Sequence, residues 1–398
     1  MAFENLNIIA MGAYGSGISG GDRIFIEVAR RLRRVKKVNI YVWEEGKEMC
    51  KRQGLTSGKN LKIVVWKMGW VNKLGFVVCY AGRIVKGIWE SLFLKIADPS
   101  LSVVYSASEF WMDVMPAFII KIRYPKVKWV AAWFQTAPKP WQGFSEGKRE
   151  KTYKVSAFYY WIVQMFVKPI ISYFSDIVLV NNEAERKQFS KHNKDGSVVV
   201  MLGGVNVTDI KRYRLRHKKN EKKFDAVFQG RFHPQKGVVE LIDVWRMVVN
   251  RKPNAKLAMI GDGPLMDDVK GKIKKERLGK NVALFGYVFE GSKKYEIFSQ
   301  SKLVCHPAFF DSGGMASAEA MAFGVPAVGF DLSAYKSYYP KGMVKVKIGD
   351  LKMFSDEILR ILNNNNLRNR LGDEARKMIE KDWSWENRVD SVFDFINK

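Results

Sequence analysis

Short apolar, β-branched runs alternate with helical patterns from one end of the 398-residue chain to the other. Most of these runs lack the strict alternation of a sheet with one wet face, which is typical of parallel strands covered by helices on both faces. The candidate strands are residues 5–12, 37–45, 61–69, 100–108, 128–136, 176–182, 197–204, 224–231, 256–263, 281–288, 302–308 and 326–331. This pattern, which restarts after residue 223, predicts an α/β protein with two doubly wound parallel sheets in tandem.

Apolar residues recur at helical spacing between the strands. Ile24, Val28 and Leu32 lie four residues apart, and residues 238–250 carry a continuous apolar face. A longer apolar stretch, residues 156–174, approaches the length of a membrane span but contains a glutamine, a lysine and a proline. We therefore expect a buried or interfacial helix there.

The division into domains follows from a basic segment near the middle of the chain. Residues 206–223 contain eight basic side chains and few apolar ones, which predicts an exposed linker. We expect a first domain over 1–205 and a second over 206–380. Residues 381–398 are predicted to form a terminal helix that packs back on the first domain.

Charge and cysteine content narrow the class of protein. Lys and Arg exceed Asp and Glu by 67 to 40, a formal charge of +27, which implies an anionic partner. Nucleic acid, an anionic membrane face and a phosphorylated substrate all fit that charge. Three scattered cysteines and the lack of a leader pattern indicate a reduced, cytoplasmic protein.

Part of the basic excess surrounds one predicted helix at residues 73–97. An apolar stripe recurs there every three or four residues, with Lys73, Arg83, Lys86 and Lys95 away from it. Its members are Leu74, Val77, Ala81, Ile84, Ile88, Leu92 and Ile96. Basic residues beside an apolar face are typical of a helix at an anionic membrane, and equally of a helix packed on the first sheet.

The first glycine-rich turn, GAYGSGISGGDR, ends at a helix start with Gly20 and Gly21. Backbone N–H groups at a helix start can approach phosphate or sugar oxygens. A tight turn that binds no ligand would explain the same glycines.

The second glycine-rich turn is QGRFHPQKG, where a strand ends at Gly230. Arg231 follows directly, and Lys236 lies at the next helix start. A guanidinium and an ammonium at the carboxyl end of a parallel sheet can bind a pyrophosphate. Two solvated charges beside a loop are the alternative.

Two carboxylates with seven residues between them form the richest motif, in HPAFFDSGGMASAEAMAFGVPAV. Asp311 precedes a predicted helix start at Gly313 and Gly314, and Glu319 lies inside that helix. The N–H groups of Gly314 and Met315 could face a phosphate while the carboxylates accept sugar hydroxyls. A capped helix with a surface glutamate is the alternative.

These motifs carry a family resemblance. GRFHPQKG, FGYV and D-x7-E-AMAFGVPAV resemble the retaining two-domain (GT-B) glycosyltransferases of group 1, carbohydrate family four; SGGDR, LGGVN and WSWENR extend the likeness along the chain. The resemblance implies two Rossmann-like domains facing across a cleft, with a nucleotide-sugar donor held mainly by the second. It also implies transfer of the sugar to a glycan or lipid-linked acceptor, with retention at the anomeric carbon.

The resemblance assigns roles by position. Arg231 and Lys236 would bind the donor diphosphate and stabilise charge on the leaving group. Asp311, with the Gly313, Gly314 and Met315 amides, would hold the donor sugar and phosphate. The other expected donor contacts are Gly20 and Gly21 at the diphosphate, Gly230 directly before Arg231, Tyr287 and Val288 at the base, and Glu319 at the ribose.

The chain departs from the family pattern in three ways. Asp311 stands where the family usually has Glu, and DSGG replaces EGFG. The usual first-domain histidine is missing, so Gln135 in WFQTAP is a candidate substitute.

Two other functions remain open from the sequence, a sugar-nucleotide epimerase of the same fold and a basic nucleic-acid-binding protein. The basic linker lacks aromatic residues interleaved with arginine, which disfavours nucleic acid as a partner. No Asp-x-Asp motif is present, so we expect no cofactor and no metal. The charge fits a cytoplasmic enzyme that works at the face of an anionic membrane.

Overall fold

The computed structural model describes residues 3–15, 17–32, 35–189, 196–201, 203–217 and 221–397. The chain divides into two compact units. Unit 1 comprises Met1–Ala137, Phe158–Gly203 and Glu386–Lys398, and unit 2 comprises Pro138–Ala157 and Gly204–Trp385.

Unit 1 is built on a parallel seven-stranded sheet of order β3-β2-β1-β4-β5-β6-β7. Its strands are β1 Asn5–Ile9, β2 Lys37–Val42, β3 Leu61–Val65, β4 Ser102–Ser106, β5 Lys128–Trp133, β6 Ile177–Val180 and β7 Val198–Val200. Asn5 is in register with Lys37 on one side and Ser102 on the other. Because chain order reverses between β1 and β4, this sheet has its topological switch point there.

The helices of unit 1 cover both faces of that sheet, as the unbroken apolar strands require. They are α1 Gly20–Arg31, α2 Glu44–Arg52, α3 Gly75–Phe93, α4 Trp111–Arg123, α5 Lys154–Phe174, α6 Glu183–Lys187 and the terminal α15 Trp385–Ile396, of which α5 and α15 begin in unit 2. Helix α15 contacts the first strand region, with the Phe3 and Phe393 ring centroids 5.0 Å apart. The Phe3 N–H also donates to Asn397 Oδ1 at 3.0 Å.

Unit 2 repeats the design with a parallel six-stranded sheet of order β10-β9-β8-β11-β12-β13. Its strands are β8 Phe224–Gln229, β9 Leu257–Ile260, β10 Val282–Leu284, β11 Ser301–His306, β12 Ala327–Phe330 and β13 Met343–Val346. The two doubly wound sheets confirm the predicted fold class. The sequence reasoning missed the edge strand β13, because lysines interrupt its short apolar run.

The structure contains both helices that the sequence analysis predicted in unit 2, over 238–250 and after Gly314, together with helices that it did not predict. The helices of unit 2 are α7 Val207–Arg216, α8 Val238–Arg251, α9 Met266–Lys275, α10 Ser292–Ser299, α11 Met315–Met321, α12 Tyr335–Tyr338, α13 Leu351–Asn363 and α14 Asn365–Asp382. Helix α8 packs its apolar face, including Trp245, into the core beside α13.

The predicted linker over 206–223 is wrong where it contains α7. Ile210 is buried, and the Tyr213 ring lies 5.6 Å from Tyr295 and 6.0 Å from Phe323. Arg214 pairs with Glu380 at 2.8 Å. A narrow apolar stripe is enough to dock a helix whose remaining faces are basic and wet. Residues 218–220 lie outside the described residues.

Residues 138–157 also differ from the sequence-based division, which kept them in the first domain because they precede residue 205. They follow β5 of unit 1 in the chain, yet they pack as part of unit 2. Chain order predicts this segment as a local connection, whereas its contacts are with loops far along the sequence.

The helix predicted over 73–97 is present as α3, but its basic side chains are not all directed to solvent. Arg83 is only 1% exposed. Its Nη1 donates to the Met11 carbonyl at 3.0 Å, and its guanidinium lies 4.8 Å from the centre of the Trp43 ring. Arg83 is therefore an internal support of the first glycine-rich turn, and its assignment to a membrane-facing surface is wrong. The Lys73 side chain lies outside the described residues.

Helices α3 and α5 nevertheless leave apolar side chains in water. Val85 and Trp89 of α3 are 67% and 59% exposed, and Tyr159 and Phe166 of α5 are 67% and 54% exposed. The predicted stripe of α3 is divided, since Leu92 is exposed while Ile96 is buried. Within the described residues, no helix is long and apolar enough to cross a membrane.

The loop after β5 is held from several sides. The Gln135 carbonyl accepts hydrogen bonds from Gln164 Nε2 at 2.7 Å and from the Tyr160 hydroxyl at 3.0 Å. The single proton of that hydroxyl is shared with Glu109 Oε1, which lies closer, at 2.7 Å. Burial raises the pKa of the Glu109 carboxyl to about 7, although its hydrogen bonds oppose the shift.

We expect Glu109→Gln to reduce the pH dependence of stability. The folded pKa lies above the unfolded value of about 4.3, so the folded state holds a proton that the unfolded state releases between those pH values. Stability is therefore present at low pH and declines as pH rises towards 8, by on the order of 3 kcal/mol for this group. Glutamine has no proton to release.

Melting temperatures from pH 5 to 8 would check this expectation. The variant should lose part of the decline seen in the wild type, and Glu150→Gln, which changes an exposed carboxylate, should keep all of it. An unchanged slope in Glu109→Gln would show that Glu109 titrates normally.

Candidate functional site

The switch point of unit 2 lies between β8 and β11, the two central strands. The loops that follow these strands diverge to opposite faces of the sheet and leave a crevice at its carboxyl edge. Residues 230–237 leave β8 there, and residues 307–314 leave β11. The topology thus brings together two motifs that are about 75 residues apart in the chain.

Backbone contacts hold the loop after β8 in place. The Phe232 N–H donates to the Asp262 carbonyl at 2.8 Å, and the Phe309 N–H donates to the Gln235 carbonyl at 2.9 Å. Gly237 has a φ of 62°, and a Cβ there would lie 2.0 Å from the Pro307 carbonyl oxygen. Only glycine fits this approach, so the loop that carries Lys236 is fixed against the loop that carries Asp311.

Lys236 and Asp311 form the centre of this crevice. Lys236 Nζ lies 2.6 Å from Asp311 Oδ2, and the carboxylate side chain is only 8% exposed. The same oxygen accepts a hydrogen bond from the Tyr335 hydroxyl at 2.9 Å and lies 3.2 Å from His306 Nε2. Asp311 Oδ1 accepts the Gly313 N–H at 3.3 Å.

This network keeps Asp311 ionised. Burial alone would raise the pKa of Asp311, but the Lys236 ammonium and the His306 hydrogen bond outweigh it and hold that pKa well below its usual range. Burial lowers the pKa of His306, so the imidazole is neutral. Its Nδ1 lies 2.6 Å from Ser317 Oγ, which fits a tautomer that accepts from Ser317 and donates from Nε2 to Asp311.

Arg231 extends the positive charge of this site to the surface. Its side chain is exposed, whereas Lys236 is half-buried. Burial and the charges of Arg231 and Lys236 lower the pKa of nearby His233 to about 3, which makes that histidine neutral. His233 Nδ1 accepts a weak hydrogen bond from the Gln235 N–H at 3.4 Å.

Helix α11 begins directly after Asp311, as the sequence predicts. Gly314 is its N-cap with a φ of 59°, and Tyr339 donates a short hydrogen bond to the Gly314 carbonyl. A Cβ at Gly313 would lie 2.8 Å from the Tyr338 hydroxyl oxygen. The DSGG residues therefore form a turn that packs against buried tyrosines, which leaves no room for larger residues at the two glycines.

Glu319 lies one turn inside α11 and is buried. Its Oε2 is 2.5 Å from Lys294 Nζ, and Lys294 also contacts Glu290 Oε2 at 2.9 Å. Sequence reasoning identified Glu319 but missed Lys294, because one lysine in SKKYEIF looks like any other until α10 is docked. The carboxylate of Glu319 is paired and oriented rather than a loose surface group.

The expected base-binding turn lies at the end of β10. Residues 287–293 line a pocket of about 260 Å³. The Tyr287 and Phe289 rings meet edge to face with centroids 4.9 Å apart, and Val288, between them in the chain, is buried. This arrangement offers an aromatic surface at the carboxyl edge of the sheet.

Gly20 and Gly21 belong to unit 1, unlike the other site residues. Ser19 and Asp22 form a capping box at the start of α1, with the two glycines between them. A Cβ at Gly21 would lie 3.1 Å from the Phe134 ring. A side chain at Gly21 would therefore have to displace the Phe134 ring slightly, and the Asp22 carboxylate places negative charge at the helix start.

Unit 2 thus holds a coherent set of groups at one sheet edge. Half-buried Lys236 and exposed Arg231 supply positive charge suited to an anion. Asp311 and Glu319 supply acceptors suited to hydroxyl groups. The sequence missed the supporting groups His306, Tyr335 and Lys294. Their signal is spatial, since none is part of the seven-spaced motif.

Comparison with known proteins finds a family match for most of unit 2. Residues 209–378 match the family described as glycosyl transferases group 1. The chain is 23% identical over 261 residues to the capsular polysaccharide biosynthesis glycosyltransferase CapM of Staphylococcus aureus, with 61% of this chain and 68% of CapM covered. It is 29% identical over 167 residues to the phosphatidyl-myo-inositol mannosyltransferase of Mycobacterium tuberculosis, with 40% of this chain and 43% of that protein covered.

A solved structure extends the likeness to the whole fold. Anabaena HepE, in complex with UDP and glucose, matches with a TM-score of 0.69 over 99% of both chains, at 13% identity. The family match includes the loops of Arg231, Lys236, Asp311 and Glu319. Residues 209–378 of unit 2 therefore carry the match to the group 1 glycosyltransferases, and the chain as a whole has the GT-B fold.

Proposed function

We propose that this protein transfers a sugar from a nucleotide-sugar donor to a glycan or lipid-linked acceptor, with retention at the anomeric carbon. The observation that carries the proposal is the Lys236–Asp311 pair, joined at 2.6 Å at the switch point of the unit that matches the family. The relatives named above are transferases, which supports this function over a sugar-nucleotide epimerase.

In this proposal the donor diphosphate binds between Arg231 and Lys236. Both side chains are cations, and the second is held by a fixed carboxylate, so their charge is preorganised for a departing phosphate. Asp311 keeps Lys236 oriented and offers Oδ1 towards the donor sugar. The proposal includes no metal ion, because the two cations supply the positive charge.

The two cations are expected to respond differently to removal. Arg231→Ala removes an exposed contact worth about 1.5–3 kcal/mol to the diphosphate, so affinity should fall at least tenfold with an unchanged melting temperature. Lys236→Ala should cause a similar loss of affinity. It should also lower the melting temperature, because it leaves Asp311 buried without its cation.

Calorimetry with UDP, GDP and ADP would show which base the site prefers and would measure these affinities. UDP is bound in the HepE structure. Thermal denaturation would measure stability in parallel. Exposed Lys256→Ala is the control for both. Wild-type affinity for every diphosphate in both variants would remove the diphosphate site from these residues.

Glu319 is proposed to bind the ribose hydroxyls of the donor. Glu319→Gln should weaken the nucleoside diphosphate and its sugar donor equally, because both contain ribose. Asp311→Asn should spare the nucleoside diphosphate more than the sugar donor. Equal losses for the bare diphosphate in the two variants, measured by calorimetry, would contradict this division of roles.

We also propose that unit 1 binds an anionic membrane through the exposed apolar sides of α3 and α5. Trp89 and Phe93 of α3 form an exposed aromatic pair with ring centroids 5.1 Å apart, and Tyr159 and Phe166 are exposed on α5. Aromatic and aliphatic side chains on a basic protein are suited to the headgroup region of an anionic bilayer. The mannosyltransferase relative, whose name includes a phosphatidyl lipid, supports a lipid-linked acceptor.

The double change Trp89→Ser and Phe93→Ser should weaken sedimentation with anionic vesicles. The apolar contribution should be lost, while the affinity for the nucleoside diphosphate stays unchanged. Binding of the wild type should fade with added salt, because surface charges are screened beyond roughly 10 Å at 0.1 M.

The matched control is Leu215→Ser, which removes an exposed apolar residue from α7 of unit 2. It should bind vesicles like the wild type. Equal binding of neutral and anionic vesicles by the wild type, or none to either, would argue against an anionic membrane partner.

A further inference from the structure

A closed loop from the middle of the chain packs on the two loops that carry Lys236 and Asp311, an ion pair that we call the clamp. After β5 the chain enters unit 2, and residues 143–153 form a ring that we call the strap. The Phe144 N–H donates to the Thr152 carbonyl at 3.0 Å and closes it. Gly143 has a φ of 66°, and a Cβ there would lie 1.8 Å from the Thr152 carbonyl oxygen, so the closure needs glycine.

Arg149 is the centre of the strap and is almost completely removed from water. Its side chain is 1% exposed, and its Nε lies 2.6 Å from Glu240 Oε1 at the start of α8. Its Nη1 donates to the Pro234 carbonyl at 2.5 Å and to the Phe144 carbonyl at 3.2 Å. The guanidinium also lies 4.4 Å from the centre of the Phe309 ring.

These contacts reach both loops of the clamp. Pro234 precedes Lys236 by two residues, and Phe309 precedes Asp311 by two. One guanidinium therefore touches the backbone of the loop that carries the ammonium and the ring of the loop that carries the carboxylate. A change in its position would change the distance between the two charged groups.

The strap makes a second attachment through Glu146. Its N–H donates to the Phe309 carbonyl at 2.9 Å, and its carboxylate accepts hydrogen bonds from the Ser333 N–H and Oγ at 3.1 and 2.8 Å. The loop of Asp311 is thus bound to the strap on its backbone as well as on the Phe309 ring.

The chemistry of the site explains why arginine is used. A planar guanidinium can donate to a carboxylate and to carbonyl groups at once while its face packs on an aromatic ring. Lysine has the same charge, but its ammonium is not planar and cannot make this combination of contacts. A buried cation with these partners is expensive to build for packing alone, since an apolar side chain would fill the same volume.

We propose that Arg149 is a positioning residue that sets Lys236 against Asp311 and so tunes the affinity of the site for a diphosphate. The inference rests on the proposed function, because it takes the Lys236 loop as the diphosphate site. It assigns Arg149 no contact with the donor. The strap follows the first sheet in the chain, and through it this segment sets the position of the donor-binding loops of unit 2.

The test compares the diphosphate that the panel selects among UDP, GDP and ADP with its monophosphate. Arg149→Met and Arg149→Lys should each weaken the diphosphate about tenfold and the monophosphate less than twofold, since only the second phosphate depends on the clamp. Lys148→Met, an exposed neighbour in the strap, is the matched control and should change neither affinity.

A double-mutant cycle separates positioning from other effects. In a Lys236→Met background, Arg149→Met should cost less than a further twofold, because the group that it positions is gone. Full additivity, or equal losses of monophosphate and diphosphate, would overturn the inference. If Arg149→Met does not fold, Glu240→Gln weakens the Arg149–Glu240 contact instead. It should reduce diphosphate affinity by a smaller factor and again affect the monophosphate less.

The cycle also separates failure of the inference from failure of the proposed function. If Lys236→Met alone leaves diphosphate affinity unchanged, the clamp assignment is wrong and the inference falls with it. If Lys236→Met weakens the diphosphate and both the Arg149 and Glu240 variants do not, only the positioning role is wrong.

Discussion

The candidate site depends on one ion pair whose carboxylate has been almost completely removed from water. Asp311 is 8% exposed and ionised, which would be very unfavourable without Lys236 at 2.6 Å and the donors of Tyr335 and His306. The desolvated carboxylate fixes the ammonium in space. An anion that reaches this edge of the sheet therefore meets a charge that needs no reorganisation, which is the condition for electrostatic stabilisation of a leaving group.

The backbone around the pair is arranged to hold it. Gly237 lets the Lys236 loop approach the Pro307 carbonyl, and the Gln235–Phe309 hydrogen bond joins the two loops directly. The strap adds a guanidinium that contacts both. The local rigidity of a site built at a switch point comes from these close approaches, because the strands beneath provide only the ends from which the loops diverge.

Unit 1 combines an internal and an external role in two helices. Helix α3 directs Arg83 inward to the Met11 carbonyl and exposes Val85 and Trp89 on its outer side. Helix α5 directs Tyr160 to the loop after β5 and exposes Tyr159. Each helix therefore joins an exposed apolar surface to a glycine-rich or polar turn at the carboxyl edge of the same sheet.

The sequence by itself determined the parallel sheets, because burial on both faces leaves continuous apolar runs such as that of β5, and it identified Lys236, Asp311 and Glu319 through letters shared with a family. Only the tertiary structure decided which groups they meet. Residues far apart in the chain meet in the Lys236–Asp311 and Glu319–Lys294 pairs. The burial of Arg83 and the inclusion of residues 138–157 in unit 2 depend on distant contacts in the same way. A local pattern records whether a position is buried on average, whereas the partner of a buried charge depends on which distant loops the folded chain brings together.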